Sequence, residues 1–262
     1  MKKIVAILLF VLFVFSLTAC SKISKKDSDT LVFGTSADYP PFEFHILDNG
    51  VDKIVGLDVA LAYQIAEDMG KTLVISDMNF DNLLTLMAKG DCDFVIAAIE
   101  ETPERLKQAS CSDPYYLDIP PMILVKKENA SLYKNLDDFN GKTVGAQAAT
   151  TLADAITEEM PGATPLLMTS VVDLINSLVY DKCDAILLDG GAAQQYAASN
   201  PDLTIIEAVS LGDSLPYCVW VAKGDPKGLL PGINKTIKKV LEDGSMERFI
   251  KDADELSSSA LD

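Results

Sequence analysis

The amino-acid sequence predicts an α/β fold with two lobes. Apolar runs typical of strands alternate along the chain with segments that have helical periodicity. A unit made of a helix, a tight turn, a Cys-Asp pair and an apolar strand occurs twice. Such alternation is typical of mostly parallel sheets with crossover helices. We therefore expect each lobe to be a mixed, mostly parallel sheet flanked by helices, with a two-segment hinge joining the lobes.

The first block of the chain supplies the elements of one sheet. Glycine follows both of its helical patterns, and a left-handed residue commonly ends a helix at that position. The expected elements are a strand at 31–35, a helix at 59–69, an extended segment at 72–75, a helix at 83–89 and a buried strand at 94–99.

The second block repeats the helix–turn–strand unit, since residues 86–96 have a counterpart in residues 177–187. Its other expected elements are a strand at 143–146 and helices at 152–159 and 192–199, and a strand at 219–222 and a helix at 229–241 then return the chain to the first lobe. Irregular segments with prolines separate the blocks, and proline is unsuited to a sheet interior. The predicted organisation is lobe 1 at 31–116 and 217–262, lobe 2 at 121–209, and hinge crossings at 117–120 and 210–216.

The composition excludes several function classes. The chain has 262 residues, 48% of them hydrophobic, with 39 acidic residues against 22 basic ones and a formal charge of −17. This excess of acid argues against nucleic acid as a partner, because binding to phosphates needs clustered Lys and Arg. His45 is the single histidine, so zinc sites that need two imidazoles are excluded.

The N-terminus predicts export. Two lysines precede an apolar run at 4–15 and small residues before Cys20, which is the pattern of a secretion signal at 1–19. The ending Leu-Thr-Ala-Cys resembles the lipobox of bacterial lipoproteins, which implies cleavage before Cys20 and acylation of its thiol. A plain signal peptide with an incidental cysteine is the alternative. Residues 20–30 are polar and are expected to form a flexible, lipid-anchored tether.

Four further cysteines follow the tether, namely Cys92, Cys111, Cys183 and Cys218. Export permits disulfides between them. Because Cys92 and Cys183 stand just before apolar strands, where small buried side chains are common, we expect mostly free, buried thiols. Their spacing is not that of a metal site, and we expect no metal and no cofactor.

Arg105 is the first candidate for a ligand contact. Thr102 and Pro103 form a helix start directly after the buried strand, which places Arg105 in the first helical turn. A cation there opposes the helix dipole, so an anion such as a free carboxylate is expected nearby. Pairing of Arg105 with Glu101 or Asp113 on the surface would explain it equally well.

Polar residues at the ends of two later strands are further candidates. Asp189 ends an apolar strand, where ligands commonly sit in α/β sheets, and its carboxylate could receive an ammonium group. Thr150 and Thr151 follow another strand and could bind a carboxylate through amides and hydroxyls. Simple capping of the helices that follow would account for these residues as well.

Aromatic residues in two loops are candidate walls of a ligand slot. Tyr39 and Phe42 flank a rigid Pro-Pro pair, and Phe80 lies in a polar loop after a strand. Aromatic side chains at strand ends often line ligand pockets. Each of them taken alone could equally serve packing within a lobe.

Taken together, these motifs resemble the polar amino acid binding proteins of ABC importers. The matching segments are GTSADYPPFE at 34–43, IVGLD at 54–58, TPER at 102–105, SDPYY at 112–116, GKTVG at 141–145, ATT at 149–151 and DAILLD at 184–189. The resemblance covers essentially the whole exported chain in order. It implies the two-lobed fold of type II periplasmic binding proteins, closing on one amino acid, and an ABC permease as partner.

The resemblance also implies roles for individual residues. Arg105 would bind the α-carboxylate of the ligand with help from the Thr151 amide, and Asp189 would bind the α-ammonium group. Tyr39 and Phe80 would sandwich the aliphatic part of its side chain. Further contacts would come from Ser36, Gln147 and Thr150 near the variable end and from a backbone carbonyl at Ala98.

Three departures from the family pattern affect the expected ligand. Ser36 stands where relatives that bind basic amino acids often carry Asp, which weakens a cationic assignment. Glu100 stands where many relatives have Ser or Thr, so it either adds negative charge beside Asp189, points elsewhere or pairs with Arg105. Ala149 replaces a usual glycine, which leaves the shape of that loop open. Lysine, arginine, histidine and glutamine are the ligands considered, with a slight preference for the basic ones.

The expected function is capture of an amino acid by a monomeric, non-catalytic protein that is anchored by lipid at the outer face of the membrane. An enzyme of the cyclohexadienyl dehydratase kind is the main alternative, with Glu100 as its general acid. An extracellular amino acid sensor is a third class, although no signalling segment follows Asp262.

Overall fold

The structure is a computed structural model that describes residues 29–206 and 211–260, with side chains as far as residue 258. The predicted signal peptide, Cys20 and most of the predicted tether lie outside the described residues. So do the predicted end of lobe 2 at 207–209 and the first residue of the second hinge crossing. Within the described part of the chain, no helix is both long and apolar enough to span a membrane.

Strands and helices alternate through the described residues. The strands are β1 (Thr30–Thr35), β2 (Asp38–Tyr39), β3 (Glu43–Asp48), β4 (Val51–Val55), β5 (Thr72–Asp77), β6 (Phe94–Val95), β7 (Ala109–Tyr116), β8 (Met122–Lys126), β9 (Thr143–Gln147), β10 (Thr164–Met168), β11 (Ala185–Leu188), β12 (Leu203–Ile206) and β13 (Tyr217–Ala222). The helices are α1 (Leu57–Asp68), α2 (Leu83–Lys89), α3 (Pro103–Gln108), α4 (Thr151–Glu159), α5 (Val171–Val179), α6 (Gly190–Ser199), α7 (Leu230–Glu242) and α8 (Ser245–Ala260).

Two five-stranded sheets form the centres of two lobes. The first sheet has the order β5-β1-β6-β13-β7 and the second has the order β10-β9-β11-β8-β12. In each sheet the inner strands β1–β6 and β9–β11 pair in parallel, whereas β13 and β8 run antiparallel to their neighbours. The α/β fold with two sheet-based lobes is therefore confirmed. The residue limits of the lobes and the hinge role of the crossings remain predictions.

The helix predictions were accurate because their end signals are local. Helix α2 covers the predicted residues and ends at Gly90, which has a left-handed conformation at φ 89°. Helix α3 begins after Thr102, whose side chain accepts a hydrogen bond from the Arg105 amide at 3.2 Å. The predicted strand at 94–99 is only partly correct, since regular pairing stops at Val95. Ala98 turns to φ 47° and donates its amide to Asp58, which takes the chain out of the ladder.

Gly56 shows why one position before α1 must be glycine. Its φ is 130°, and a Cβ atom there would lie 2.1 Å from the carbonyl oxygen of Phe42. The close approach lets Leu57 and Asp58 donate their amides to the carbonyls of Pro41 and Phe42. The loop with the Pro-Pro pair is thereby bound to the start of α1, which holds its side chains in place.

None of the four cysteines in the described residues is in a disulfide. Cys92, Cys183 and Cys218 are buried and Cys111 is partly exposed. This agrees with the expectation of mostly buried thiols outside disulfides.

Candidate functional site

One small cavity, with a free volume of about 20 Å³, lies between the two lobes. Every residue to which the resemblance assigns a ligand contact lines it, whereas Phe42, the other candidate wall, is buried against Tyr116 and Tyr217 instead. The lining residues are Ser36, Asp38, Tyr39, Glu43, Phe80, Ala97, Ala98, Glu100, Arg105, Gln147, Thr150, Thr151, Leu152 and Asp189.

Arg105 reaches the cavity from the short helix α3. Its guanidinium donates to the main-chain carbonyls of Glu100 at 3.0 Å and Ala149 at 3.3 Å, and its side chain is only 12% exposed. The ring of Phe80 lies 6.0 Å from the centre of the guanidinium, within cation–π range. Burial lowers the pKa of Arg105, although Glu100 and Asp189 act in the opposite direction. The remaining donors of the fork suit a carboxylate.

Glu100 is the ion-pair partner of Arg105, where the sequence had suggested Glu101 or Asp113 as surface partners. One carboxylate oxygen of Glu100 lies 3.5 Å from Arg105 and accepts a hydrogen bond from the Thr151 hydroxyl at 2.6 Å. Because Thr151 belongs to lobe 2, this bond joins the lobes across the cavity. Three positions were considered for Glu100, and in the structure its carboxylate pairs with Arg105.

Asp189 occupies the N-cap position of α6, as simple capping would require. Its side chain makes no capping hydrogen bond and instead accepts one from the Tyr39 hydroxyl at 2.8 Å. The Asp189 amide also donates to that hydroxyl, at 3.0 Å. Burial, and next the charge of Glu100, raise the pKa of Asp189 to about 7. A buried carboxyl with this pKa is well placed to receive a cation, which would favour its ionised form.

Asp38 and Glu43 line the cavity and were not predicted. Burial raises the pKa of Asp38 to about 6 and that of Glu43 well above its usual range. Glu43 also interacts with Asp58, which already accepts hydrogen bonds from Tyr115 and the Ala98 amide. Asp38 Oδ1 and Glu43 Oε2 are buried and have no hydrogen-bond partner among the described residues. Their position in the loop with the Pro-Pro pair was the only signal in the sequence.

Residues in the loop after β9 both cap helix α4 and line the cavity. The Thr150 hydroxyl accepts the Ala153 amide at 3.2 Å and donates to the Gln147 carbonyl at 2.7 Å. The Gln147 side chain donates to the Thr169 carbonyl. Ala149 has a φ of 66°, so the loop keeps a left-handed residue where glycine is usual, at a cost of about 1 kcal/mol.

Contacts outside the cavity also join the lobes. The carboxylate of Asp38 accepts the Val171 amide at 2.7 Å, at the N-terminus of α5. The Tyr196 hydroxyl donates to the Asp38 carbonyl at 2.7 Å. Asp38 therefore connects lobe 1 to two helices of lobe 2, and the structure has the lobes closed over the cavity.

Two α/β lobes closed on a small polar cavity define a type II periplasmic binding protein. The family model described as "Bacterial extracellular solute-binding proteins, family 3" matches residues 31–252. This chain belongs to that family, and the resemblance stated from the sequence motifs is confirmed.

Individual relatives are similar over almost their whole length. The arginine-binding extracellular protein ArtP of Bacillus subtilis is 33% identical over 261 residues, which cover 96% of this chain and 97% of that protein. A crystal structure of the amino acid ABC transporter substrate-binding protein AbpA from Streptococcus pneumoniae, bound to L-arginine, has a TM-score of 0.83 and 31% identity, covering 87% of this chain and 96% of that one. An ancestral arginine-binding protein bound to glutamine has a TM-score of 0.78 and 33% identity, covering 86% and 97%.

Proposed function

We propose that this protein captures a free amino acid with a cationic side chain, L-arginine above all, and delivers it to an ABC-type importer. Amino acid binding for an ABC transporter is the function that its relatives share. The single observation that carries the cationic assignment is the charge of the cavity. Arg105 contributes one guanidinium to the lining, and four carboxyl groups come from Asp38, Glu43, Glu100 and Asp189.

The α-carboxylate and α-ammonium groups of the ligand account for two of these charges. Arg105 binds the carboxylate, with the Thr151 amide as a second donor, and Asp189 binds the ammonium group. Tyr39 and Phe80 line the aliphatic part of the ligand, and Ser36, Gln147, Thr150 and the Ala98 backbone surround the rest. Glu100 already pairs with Arg105 and Glu43 is neutral, so an uncharged ligand side chain would leave the carboxylate of Asp38 without a counter-ion, which is costly at a buried site.

The ligand's side chain is recognised by the unpartnered acceptors of Asp38 and Glu43. A guanidinium has five donors in a planar fork and is the side chain best matched to several carboxylate oxygens. The raised pKa of Glu43 keeps this carboxyl neutral, so it offers an acceptor without a charge. Asp38 supplies the charge. The preference therefore runs from arginine to lysine and then to glutamine.

Closure is coupled to binding because the ligand contacts both lobes. Arg105 and Tyr39 belong to lobe 1, whereas Thr151 and Asp189 belong to lobe 2. A ligand that touches all four favours the closed state by its differential contacts, and hinge motion about the two crossings releases it.

The protein is exported by residues 1–19 and is held at the outer face of the cell membrane by lipid on Cys20. It works there as a monomer with its permease. Replacement of Cys20 by serine should release the protein from the membrane fraction, and loss of labelled palmitate from the same variant measures the modification. Retention of the C20S protein in washed membranes would contradict this anchor.

A dehydratase would need Glu100 as a proton donor to substrate. The contacts of its carboxylate with Arg105 and Thr151 support a binding role instead. An assay for phenylpyruvate formed from a prephenate-like substrate separates the two functions.

A thermal-shift panel of the twenty L-amino acids tests the proposal on the full chain in detergent. A ligand at 100 times its Kd adds about 2.7 kcal/mol of stability. Arginine should give the largest shift and glutamate none. A shift with neutral amino acids alone would contradict the cationic assignment, and no shift with any amino acid would contradict amino acid binding.

Two isosteric variants test the recognition of the side chain. D38N should weaken arginine binding by about 10- to 100-fold, as expected for loss of a charged hydrogen bond, and change glutamine binding less. E43Q should change arginine binding less than about threefold, because Glu43 is already neutral. D81N removes an exposed carboxylate beside Phe80 and is the matched control. Equal effects of D38N and D81N in calorimetry would contradict this assignment.

A further inference from the structure

We propose that Glu101, Cys111 and Cys218 form a binding site for a thiophilic divalent cation of the Zn²⁺ class, separate from the amino acid cavity. One ligand atom from each of these residues lies within 4.8 Å of the other two. Two sulfurs and one carboxylate oxygen form a donor set that selects Zn²⁺ and related metals over Mg²⁺ and Ca²⁺. The spacing of the cysteines in the sequence gave no indication of this cluster.

Three chain segments bring the ligands together. Cys111 lies on β7 and Cys218 on β13, the neighbouring antiparallel strand. Glu101 follows the isolated bridge between Glu100 and Tyr217, and its amide donates to the Pro216 carbonyl at 3.1 Å. The Cys218 amide donates to the Ile99 carbonyl at 3.1 Å. Because these backbone bonds hold all three segments, the ligands are positioned before a metal binds.

The register of the two strands favours a bridging ion over a disulfide. Cys111 is paired with Trp220 and Cys218 with Pro114, so the two cysteines are diagonal neighbours across an irregular part of the ladder. Diagonal Cα atoms are about 7–8 Å apart, whereas a disulfide needs about 4.4–6.8 Å. A tetrahedral zinc ion at about 2.3 Å from each sulfur holds the two sulfurs roughly 3.8 Å apart. The three ligand atoms lie within 4.8 Å of one another, a spacing that one ion can bridge.

Charge and exposure also suit a cation. Glu101 and Asp113 both act electrostatically on the two thiols and make their surroundings negative. Cys218 is fully buried, whereas Glu101 and Cys111 are partly exposed. The ion would have three protein ligands on its inner side and would take water as its fourth ligand from the solvent side. Binding would exchange the two thiol protons for the metal, with no change of oxidation state.

Cobalt titration of the full chain in detergent, reduced with a phosphine under nitrogen, tests the site. Co²⁺ is the probe because thiolate ligation gives an intense near-ultraviolet charge-transfer band. We expect one Co²⁺ per chain, displaced by Zn²⁺. Absence of the band in the wild-type chain would overturn the proposal, and so would mass spectrometry of the isolated protein that finds Cys111 joined to Cys218.

Variants separate this site from other thiols. C111S should abolish the charge-transfer band, and E101Q should weaken Co²⁺ binding by at least about 10- to 100-fold, the range known for loss of outer-shell partners. C183S removes a buried free thiol in lobe 2 and should leave the band unchanged. Equal loss in C111S and C183S would overturn the assignment. Retained amino acid binding shows that C111S is folded, so failure of the metal site and of the proposed function are distinguished.

Discussion

Binding of the amino acid should release a proton from Asp189 at mildly acid pH. The pKa of this carboxyl is about 7 in the structure because it is buried and lies near Glu100. An ammonium group of the ligand stabilises the ionised form and lowers the pKa in the complex. Affinity is therefore full well above pH 7 and falls as the pH drops through 7, because the proton must first be displaced.

The magnitude follows from this pKa. At pH 5, two units below it, about 1% of the Asp189 carboxyl is ionised, so affinity should be about 100-fold lower than at pH 8, or about 2.7 kcal/mol. At pH 6 binding should release about 0.9 proton from this group, against about 0.1 at pH 8. The other charged or titratable groups that act on Asp189 are Glu100, Tyr39, Asp118, Tyr217 and Arg105.

Calorimetry in buffers of different ionisation enthalpy measures the proton release directly. Asp38, with a pKa of about 6, contributes a second release in the same range, and D38N removes that share. In the D38N background the release that remains at pH 6 belongs to Asp189 and its neighbours. D189N should abolish it. Equal proton release at pH 6 and pH 8, or release unchanged by D189N, would refute this role of Asp189.

Three further substitutions follow from the same contacts. Y39F removes a hydrogen bond that lowers the pKa of Asp189, so the midpoint of pH-dependent binding should move up by roughly one pH unit. An unchanged midpoint in calorimetry would contradict this effect of the Tyr39 hydroxyl on Asp189. R105A should cost about 2–5 kcal/mol of binding energy, because it leaves a buried carboxylate unpaired, whereas K107A, on an exposed side chain, should bind normally. A149G should raise the free energy of unfolding by about 0.5–1 kcal/mol in denaturant titrations, because φ is 66°, and A148G should lower it.

Much of the fold was predictable because its signals are local. The end of α2 at Gly90 and the start of α3 at Thr102 depend on residues next to one another in the chain. The strand predicted at 94–99 failed for a reason that is not local. Ala98 leaves the ladder to donate its amide to Asp58, a residue 40 positions away.

The predicted site residues share one cavity, but their partners were not predictable. The pairing of Arg105 with Glu100, which is five residues away, could be weighed from the sequence as one of several choices. The hydrogen bond from Tyr39 to Asp189 joins residues 150 positions apart in different lobes, and no local pattern records it. It exists because the lobes are closed.

The sequence by itself determined the fold class, the family and ten of the fourteen residues that line the cavity. Hydrophobic periodicity, helix caps and motif order are properties of neighbouring residues, so they can be read along the chain. Only the tertiary structure decided which carboxyl groups are buried and which of them have an oxygen without a hydrogen-bond donor. It also decided that the two thiols on β7 and β13 lie close together. These properties arise because segments that are distant in the chain pack together and exclude water from the groups between them. The charge of each group then depends on its burial and not on its residue type alone.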